Sequence, residues 1–530
     1  MIENPILRGF NPDPSIIRVN DDYYIATSTF EWFPGVQIHH STDLKNWQLI
    51  GRPLNRLSQL DLKGCPDSCG VWAPCLSYDN GIFYLVYSNV RSFDGVWKDT
   101  PNYLVTASDI NGPWSDPIYL SSRGFDGSLF HDSNGKKWFL NMLVDHRKGK
   151  FFGGIEMQEY SPKEKQLIGK VHFLTNGSSL GLSEGPHIFQ KNGYYYLILA
   201  EGGTEYNHAL SVARSKTIFG PYEYHPDNPV ISTKENPENK LQKSGHGDFV
   251  QTQNGDWYAV FLVSRPLSTL GRCTLGRETG IEEIVWRDQW PYLKNGTKVP
   301  NSEVPAPKLV GHGHTLSKTK TTFDNTALDI HFQSLRIPIT EHWCSLSQRE
   351  GFLRLYGKES LSSTHNQSII ARRIQSFNVE VSTKIEFRPN TFQQMAGLVF
   401  YYNTGHYHYA CITANYTGEK KYLSIFSMDN FTQISQEELV DVTDFDSVII
   451  KGIMYNDSLQ FYFSTKEGEK AQTLGTVLDA SILSDDYVQK GSQRYRPAFT
   501  GSFVGICCQD LAYNKLHADF EWFDYNEISH

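Results

Sequence analysis

The chain has 530 residues, a formal net charge of −9 and no lysine- or arginine-rich stripe. That length exceeds what one hydrophobic core serves and points to two large domains, and the charge excludes nucleic acid as the expected partner. No apolar run is long enough to span a bilayer, and Met1-Ile2-Glu3-Asn4-Pro5 has no basic or apolar leader character, so a cytoplasmic protein with no membrane partner is expected.

Taken in order, the chain opens on Asn11-Pro12-Asp13-Pro14, which clamps an acid between two prolines. A hairpin at Asp21-Asp22 leads into the strand Tyr23-Tyr24-Ile25-Ala26. The segment Phe30-Glu31-Trp32-Phe33-Pro34-Gly35 follows, aromatic enough to wall a pocket or a core. The same turn-then-strand unit returns at Asn80-Gly81, Asn134-Gly135, Asn192-Gly193 and Asn254-Gly255, at intervals of roughly 55 to 60 residues. A second turn echoes within the period, at Ser41–Trp47, Ser108–Trp114 and Ser215–Tyr222. Two turns per period describe a four-stranded antiparallel blade, and five copies predict a five-bladed β-propeller; an irregular all-β sandwich is the alternative.

Two further acids sit in comparably constrained turns, Phe125-Asp126-Gly127-Ser128 and Ser183-Glu184-Gly185-Pro186. Like Asp13, each precedes the hairpin of its own repeat. Equivalent positions in successive blades converge at one end of the central axis, so three carboxyl groups are expected around one funnel. A paired proton donor and acceptor is what glycosidic bond cleavage demands. His246, in Ser244-Gly245-His246-Gly247-Asp248, holds the corresponding position in the fifth repeat.

Residues 305–321 are rich in Pro, Gly, Lys and Ser and read as a linker between residues 1–304 and residues 322–530. Beyond it the repeat stops, but alternation of period 2 continues, as in Phe377–Ile385, with further strands at Leu398–Tyr402 and Ser447–Lys451. The expected fold class is therefore all-β, a five-bladed β-propeller followed by a β-sandwich. The eight cysteines lack paired CxxC spacing and read as reduced, buried thiols.

Five motifs, met in this order, resemble the β-xylosidases of glycoside hydrolase family 43. They are Asn11-Pro12-Asp13-Pro14, Trp72-Ala73-Pro74, Phe125-Asp126-Gly127-Ser128-Leu129-Phe130, Ser183-Glu184-Gly185-Pro186-His187 and Leu275-Gly276-Arg277-Glu278-Thr279. The resemblance implies an inverting, exo-acting enzyme that takes xylose from the non-reducing end of short xylo-oligosaccharides. It implies Asp13 as general base, Glu184 as general acid and Asp126 as the residue tuning and orienting that acid. It also implies Arg277, Trp72, Phe30 and His246 around the sugar, with an aromatic from Pro497-Ala498-Phe499-Thr500-Gly501-Ser502-Phe503 closing the pocket. Phe503 is the preferred aromatic. No cofactor is expected to be required, although some members of the family carry a metal ion near the equivalent of His246. A homo-oligomer, dimer or tetramer, remains open. The short stretch Ser268–Thr274 before Arg277 suggests an altered rim on the leaving-group side. The rival readings are an α-L-arabinofuranosidase on the same scaffold and a sugar-binding protein without turnover.

Overall fold

In the computed structural model, which describes residues 1–147, 151–311, 319–435, 439–490 and 498–528, five antiparallel units surround a common axis, four of them four-stranded and the fourth in chain order five-stranded. Their inner strands are Ser15–Val19, Gly70–Asp79, Gly124–His131, Glu184–Lys191 and Gln242–Gln251. Two of the hairpins that open the blades, Asn80-Gly81 and Asn192-Gly193, have positive φ at both central residues. That conformation matches the twist of the flanking strands and explains why Asn-Gly recurs there. The N-terminal segment closes the ring against blade five: Ile2–Glu3 pairs with Glu303–Val304, and Leu7 exchanges two backbone bonds with Thr279.

The rest of the chain forms two stacked sheets. One orders Cys344–Ser345, Leu353–Tyr356, His517–Glu527, Asn378–Glu386, Ser447–Tyr455, Ser458–Ser464 and Gln472–Asp479. The other contains Lys421–Asp429, His406–Ala414, Gln394–Asn403, Phe503–Asp510, Ile369–Arg373 and Gln333–Leu335. Val381, Ile450 and Phe461 from the first meet Leu398, Phe400 and Ile506 from the second. In Ser447–Tyr455 buried residues alternate with part-exposed ones, as a half-solvated strand requires. Gln394–Asn403 is buried almost throughout, because Val399 and Tyr401 on its far face pack into the propeller core with Trp32, Phe10 and Phe503.

The two halves share a sheet. Trp32–Phe33, an excursion from blade one, pairs with Gln333–Leu335 at the edge of the second sandwich sheet. Of the expected linker, residues 312–318 lie outside the described residues, and Lys320–Thr322 pairs with His517–Glu527. The longest α-helix among the described residues is Asp485–Lys490, and none is long and apolar enough to cross a membrane. All eight cysteines are buried and free.

Candidate active site

The acids are presented by a backbone irregularity that recurs around the ring. In blades two to five the inner strand slips register against its neighbour, between Trp72 and Cys75, Phe125 and Ser128, Glu184 and His187, and Gly245 and Gly247. A residue with positive φ sits in each slip: Ala73 (32°), Asp126 (55°), Gly185 (56°) and His246 (34°). Asp13, at φ 54°, stands just ahead of the inner strand of blade one. Such bulges bend the strand and re-aim a side chain, here toward the axis. Asp13, Asp126 and His246 thus occupy equivalent positions, whereas Glu184 lies one residue earlier, in the place of Trp72. Left-handed backbone at non-glycine residues is costly and concentrates at functional sites.

These residues line one cavity of about 560 Å³, together with Phe30, Trp72 and Arg277. Asp13 is buried; its Oδ2 accepts from Ser28 Oγ at 2.7 Å and its Oδ1 from Arg277 Nη1 at 3.3 Å. His246 Nδ1 lies 3.8 Å from the same Oδ1. Burial lowers the His246 imidazole to about 4, against the pull of Asp13. Burial raises Asp126 to about 8, assisted by Asp13 and opposed by the Gly185 N–H and Arg277. Glu184 is raised well above the ordinary carboxyl range by burial, then by Asp126 and Asp13. Burial and neighbouring carboxyl charge thus make Asp126 and Glu184 hold their protons more tightly than ordinary carboxyl groups.

Arg277 is the hub. Its Nε and Nη2 donate to the Phe499 carbonyl at 3.1 and 3.0 Å, and Nη1 also reaches Thr204 Oγ1 at 2.9 Å. The neighbouring Glu278 is paired with Arg265 instead, at 2.7 and 2.8 Å, and leaves Arg277 to the cavity. Trp72 fixes its indole through Nε1 to Ser68 O at 3.0 Å and stands edge-on to Phe125 and Phe499. Phe30 packs obliquely on Trp72 at 5.9 Å and on Phe499 at 6.2 Å.

The expected aromatic from the sandwich is corrected. Phe503 is fully buried and stacked flat on Trp32 at 3.8 Å, away from the cavity; Phe499 is the one that lines it. The reason is register. Phe503 is the first residue of the strand Phe503–Asp510 and points into the sheet–propeller interface, while Phe499 lies on the approach to that strand. The approach is pinned by Phe499 N to Ser68 Oγ at 3.0 Å and by Ser502 N to Thr274 O at 3.0 Å. Pro497 of the same motif lies outside the described residues.

Several lining residues carried no signal in the sequence reading: Phe93, Phe151, Lys98, Thr204 and Glu205. Thr204 follows Gly202-Gly203, a pair of glycines after a strand that could have flagged it. The short stretch before Arg277 does not border the cavity; Cys273 N donates to Asp486 Oδ2 of the sandwich helix at 2.7 Å. Among the described residues, the side chains spaced to hold a metal are Cys273, Asp485 and Asp486, and His246 is not among them. The Lys243 ammonium already lies 3.0 Å from Asp485 and 3.1 Å from Asp486.

Residues 2–291 match the model of glycosyl hydrolases family 43, and residues 320–526 match the β-xylosidase C-terminal concanavalin A-like domain. The chain belongs to glycosyl hydrolase family 43. It is a glycoside hydrolase with 48% identity to a β-xylosidase of Bacillus subtilis, over 99% of both chains. A xylosidase/arabinosidase 43B of Humicola insolens is 46% identical over 100% of this chain and 98% of its own. The crystal structure of a xylan β-1,4-xylosidase from Bacillus halodurans superimposes with a TM-score of 0.96 at 48% identity, covering 99% of this chain and 100% of the other.

Proposed function

We propose that this family 43 enzyme is an inverting β-xylosidase that releases xylose, one unit at a time, from the non-reducing end of β-1,4-xylo-oligosaccharides. The observation that carries the reading is the unequal treatment of carboxyl groups in one cavity. Asp13 receives an arginine and a hydroxyl donor, contacts suited to a carboxylate that activates water. Glu184 is pushed toward its protonated form, as a group that must protonate the leaving oxygen requires. Asp126 supplies part of that push. Trp72, Phe30 and Phe499 offer flat apolar faces to a sugar ring, and Arg277 and His246 offer donors to its hydroxyls. The Phe499 carbonyl, held by Arg277, brings a segment of the sandwich to the cavity lining, a contribution suited to a pocket for terminal units.

The relative from Humicola insolens, named for two activities, favours a second reading in which α-L-arabinofuranosides are also cleaved. Proton NMR of xylobiose and xylotriose hydrolysis tests the proposal. The α-anomer of xylose should appear first, with xylotriose yielding xylose and xylobiose. First appearance of the β-anomer overturns inversion, and internal cleavage of longer chains overturns the exo mode. Comparing nitrophenyl β-xyloside with nitrophenyl α-arabinofuranoside ranks the two sugars, and binding without turnover of either leaves a sugar-binding protein.

A further inference from the structure

A second cavity, of about 230 Å³, lies where blade one and the N-terminal segment meet the sandwich, and shares no lining residue with the first. Its charged lining is cationic. Arg8 and Arg52 come from the propeller half and Arg372 and Arg373 from the sandwich; His39 and His331, which burial lowers to about 3 and about 4 and so keeps neutral, lie among them. No aspartate or glutamate among the described residues lines it.

The positive charges are poorly matched inside the protein. Arg8 is committed to Glu527 at 2.8 Å. The other guanidinium groups bond to neutral acceptors. Arg373 Nε donates to Phe10 O at 2.5 Å and its Nη1 to Gln333; Arg372 Nη2 donates to Gln375 Oε1 at 3.3 Å. Arg52 donates to Gln37 Oε1 at 2.6 and 3.1 Å and to Ile330 O at 2.6 Å. Arg372, Arg373 and His39 are 8%, 6% and 8% exposed. Yet Arg372 Nε, Arg373 Nη2 and His39 Nδ1 have no hydrogen-bond partner among the described residues. Unpaired polar groups and unneutralised charges buried together oppose folding unless something answers them. The local field agrees. Burial, then repulsion from Arg52, holds Arg373 well below the ordinary arginine range; burial lowers Arg52 to about 9, against only Asp329. The acids acting on the group, Asp329 and Glu527, stand outside the cavity lining, the first exposed and the second held by Arg8.

We propose that this cavity binds a small multivalent oxyanion, inorganic phosphate or a di- or tricarboxylate, which neutralises Arg52, Arg372 and Arg373 across the domain junction. Guanidinium forks match oxyanion geometry better than they match a monatomic halide. The volume admits such an ion with several waters, at about 30 Å³ each. The consequence is mechanical rather than catalytic. Arg373 lies over the rings of Phe10 and Phe503, and Phe10 touches Phe30 of the first cavity at 5.5 Å. An anion bound there ties the sandwich to blade one behind the sugar pocket.

Titration calorimetry of the full-length protein with inorganic phosphate, and separately with citrate, at constant ionic strength in chloride tests the proposal. The expected result is one site per chain and a saturable rise in melting temperature that chloride does not reproduce. Arg52→Gln should weaken binding by about tenfold or more, a loss typical of one charge-assisted pair. Its fold is protected because Gln37 keeps its bond to Asn11 Oδ1 at 2.7 Å. Arg372→Gln should act alike. Tighter phosphate binding identifies a compact inorganic ligand, tighter citrate binding an organic polyacid. Absence of heat and of stabilisation with both ions at tens of millimolar overturns the proposal. So does an equal rise in chloride, or an Arg52→Gln variant that binds as well as the wild type.

Discussion

The contrast between Asp13 and Glu184 is a matter of partners. Asp13 meets donors, Ser28 and Arg277; Glu184 meets burial and two further acids. Substituting Asp13→Asn or Glu184→Gln should each remove most turnover, on the order of a hundredfold or more. A leaving group that needs no protonation, such as dinitrophenolate, should restore the Glu184 variant alone; equal rescue of both in steady-state assays would refute the assigned roles. Asp126→Asn removes a carboxyl whose charge, once it ionises near pH 8, opposes ionisation of Glu184, so the Glu184 carboxyl then loses its proton more readily. The basic limb of kcat/KM against pH should therefore move to lower pH. Stability follows the same groups. With Asp126 raised to about 8 in the folded state, the native protein holds a proton that the unfolded chain releases near its ordinary 3.8. The contribution of this group to stability thus falls as pH rises from about 4 to about 8. Across that interval Asp126→Asn should gain in urea midpoint relative to the wild type, most at the alkaline end. A constant difference would mean the group is not held protonated.

At the scale of the strand, the site is a consequence of bulges. An inner strand with unbroken alternation would send neighbouring side chains to opposite faces and leave the axis with whatever residue the pleat delivered. The slips at Asp126 and Gly185 break that alternation beside the carboxyl groups of the cavity. Gly185 shows how little freedom the position has: it holds φ 56°, and a Cβ there would come 2.9 Å from the His246 ring. Gly185→Ala should cost about 1–3 kcal/mol in urea unfolding and lower kcat through displacement of Glu184 and His246. Gly276 plays the corresponding part for the sandwich. It holds φ 74°, and a Cβ would lie 2.3 Å from Thr500 O, within the segment that carries Phe499.

The whole molecule is one functional unit because its halves complete each other. The Phe499 carbonyl, from the sandwich, receives two of the donors of Arg277 from blade five. Arg336 of the sandwich is almost fully buried and donates to Cys65 O at 2.7 Å, to Asp67 Oδ1 at 2.7 Å and to Gln367 Oε1 at 3.0 Å. Two of those acceptors belong to the propeller half. Arg336→Met leaves the part-buried Asp67 and the buried Glu31 without their cation and should cost about 3–5 kcal/mol, read from denaturant unfolding. Phe499→Ala keeps the fold and opens the sugar pocket. Its kcat/KM should fall about tenfold or more, corresponding to about 1.4 kcal/mol of lost transition-state binding. An unchanged value would place Phe499 outside the substrate contacts.

The repeat of Asn-Gly hairpins, the alternating strands after residue 322 and the Pro- and Gly-bound acids were legible because each is a local constraint. Turn chemistry and strand period are written in a few adjacent residues, so the all-β class and the propeller followed by a sandwich could be read directly, as could the acids worth following. Which aromatic enters the cavity could not. Phe499 and Phe503 are four positions apart in one motif, and the choice between them rests on where the strand Phe503–Asp510 begins and on Trp32, a residue hundreds of positions away. The same holds for Phe93, Thr204 and the arginines of the second cavity. Their meaning comes from neighbours contributed by distant strands, and only tertiary packing decides which charges are buried together and which donors find no partner.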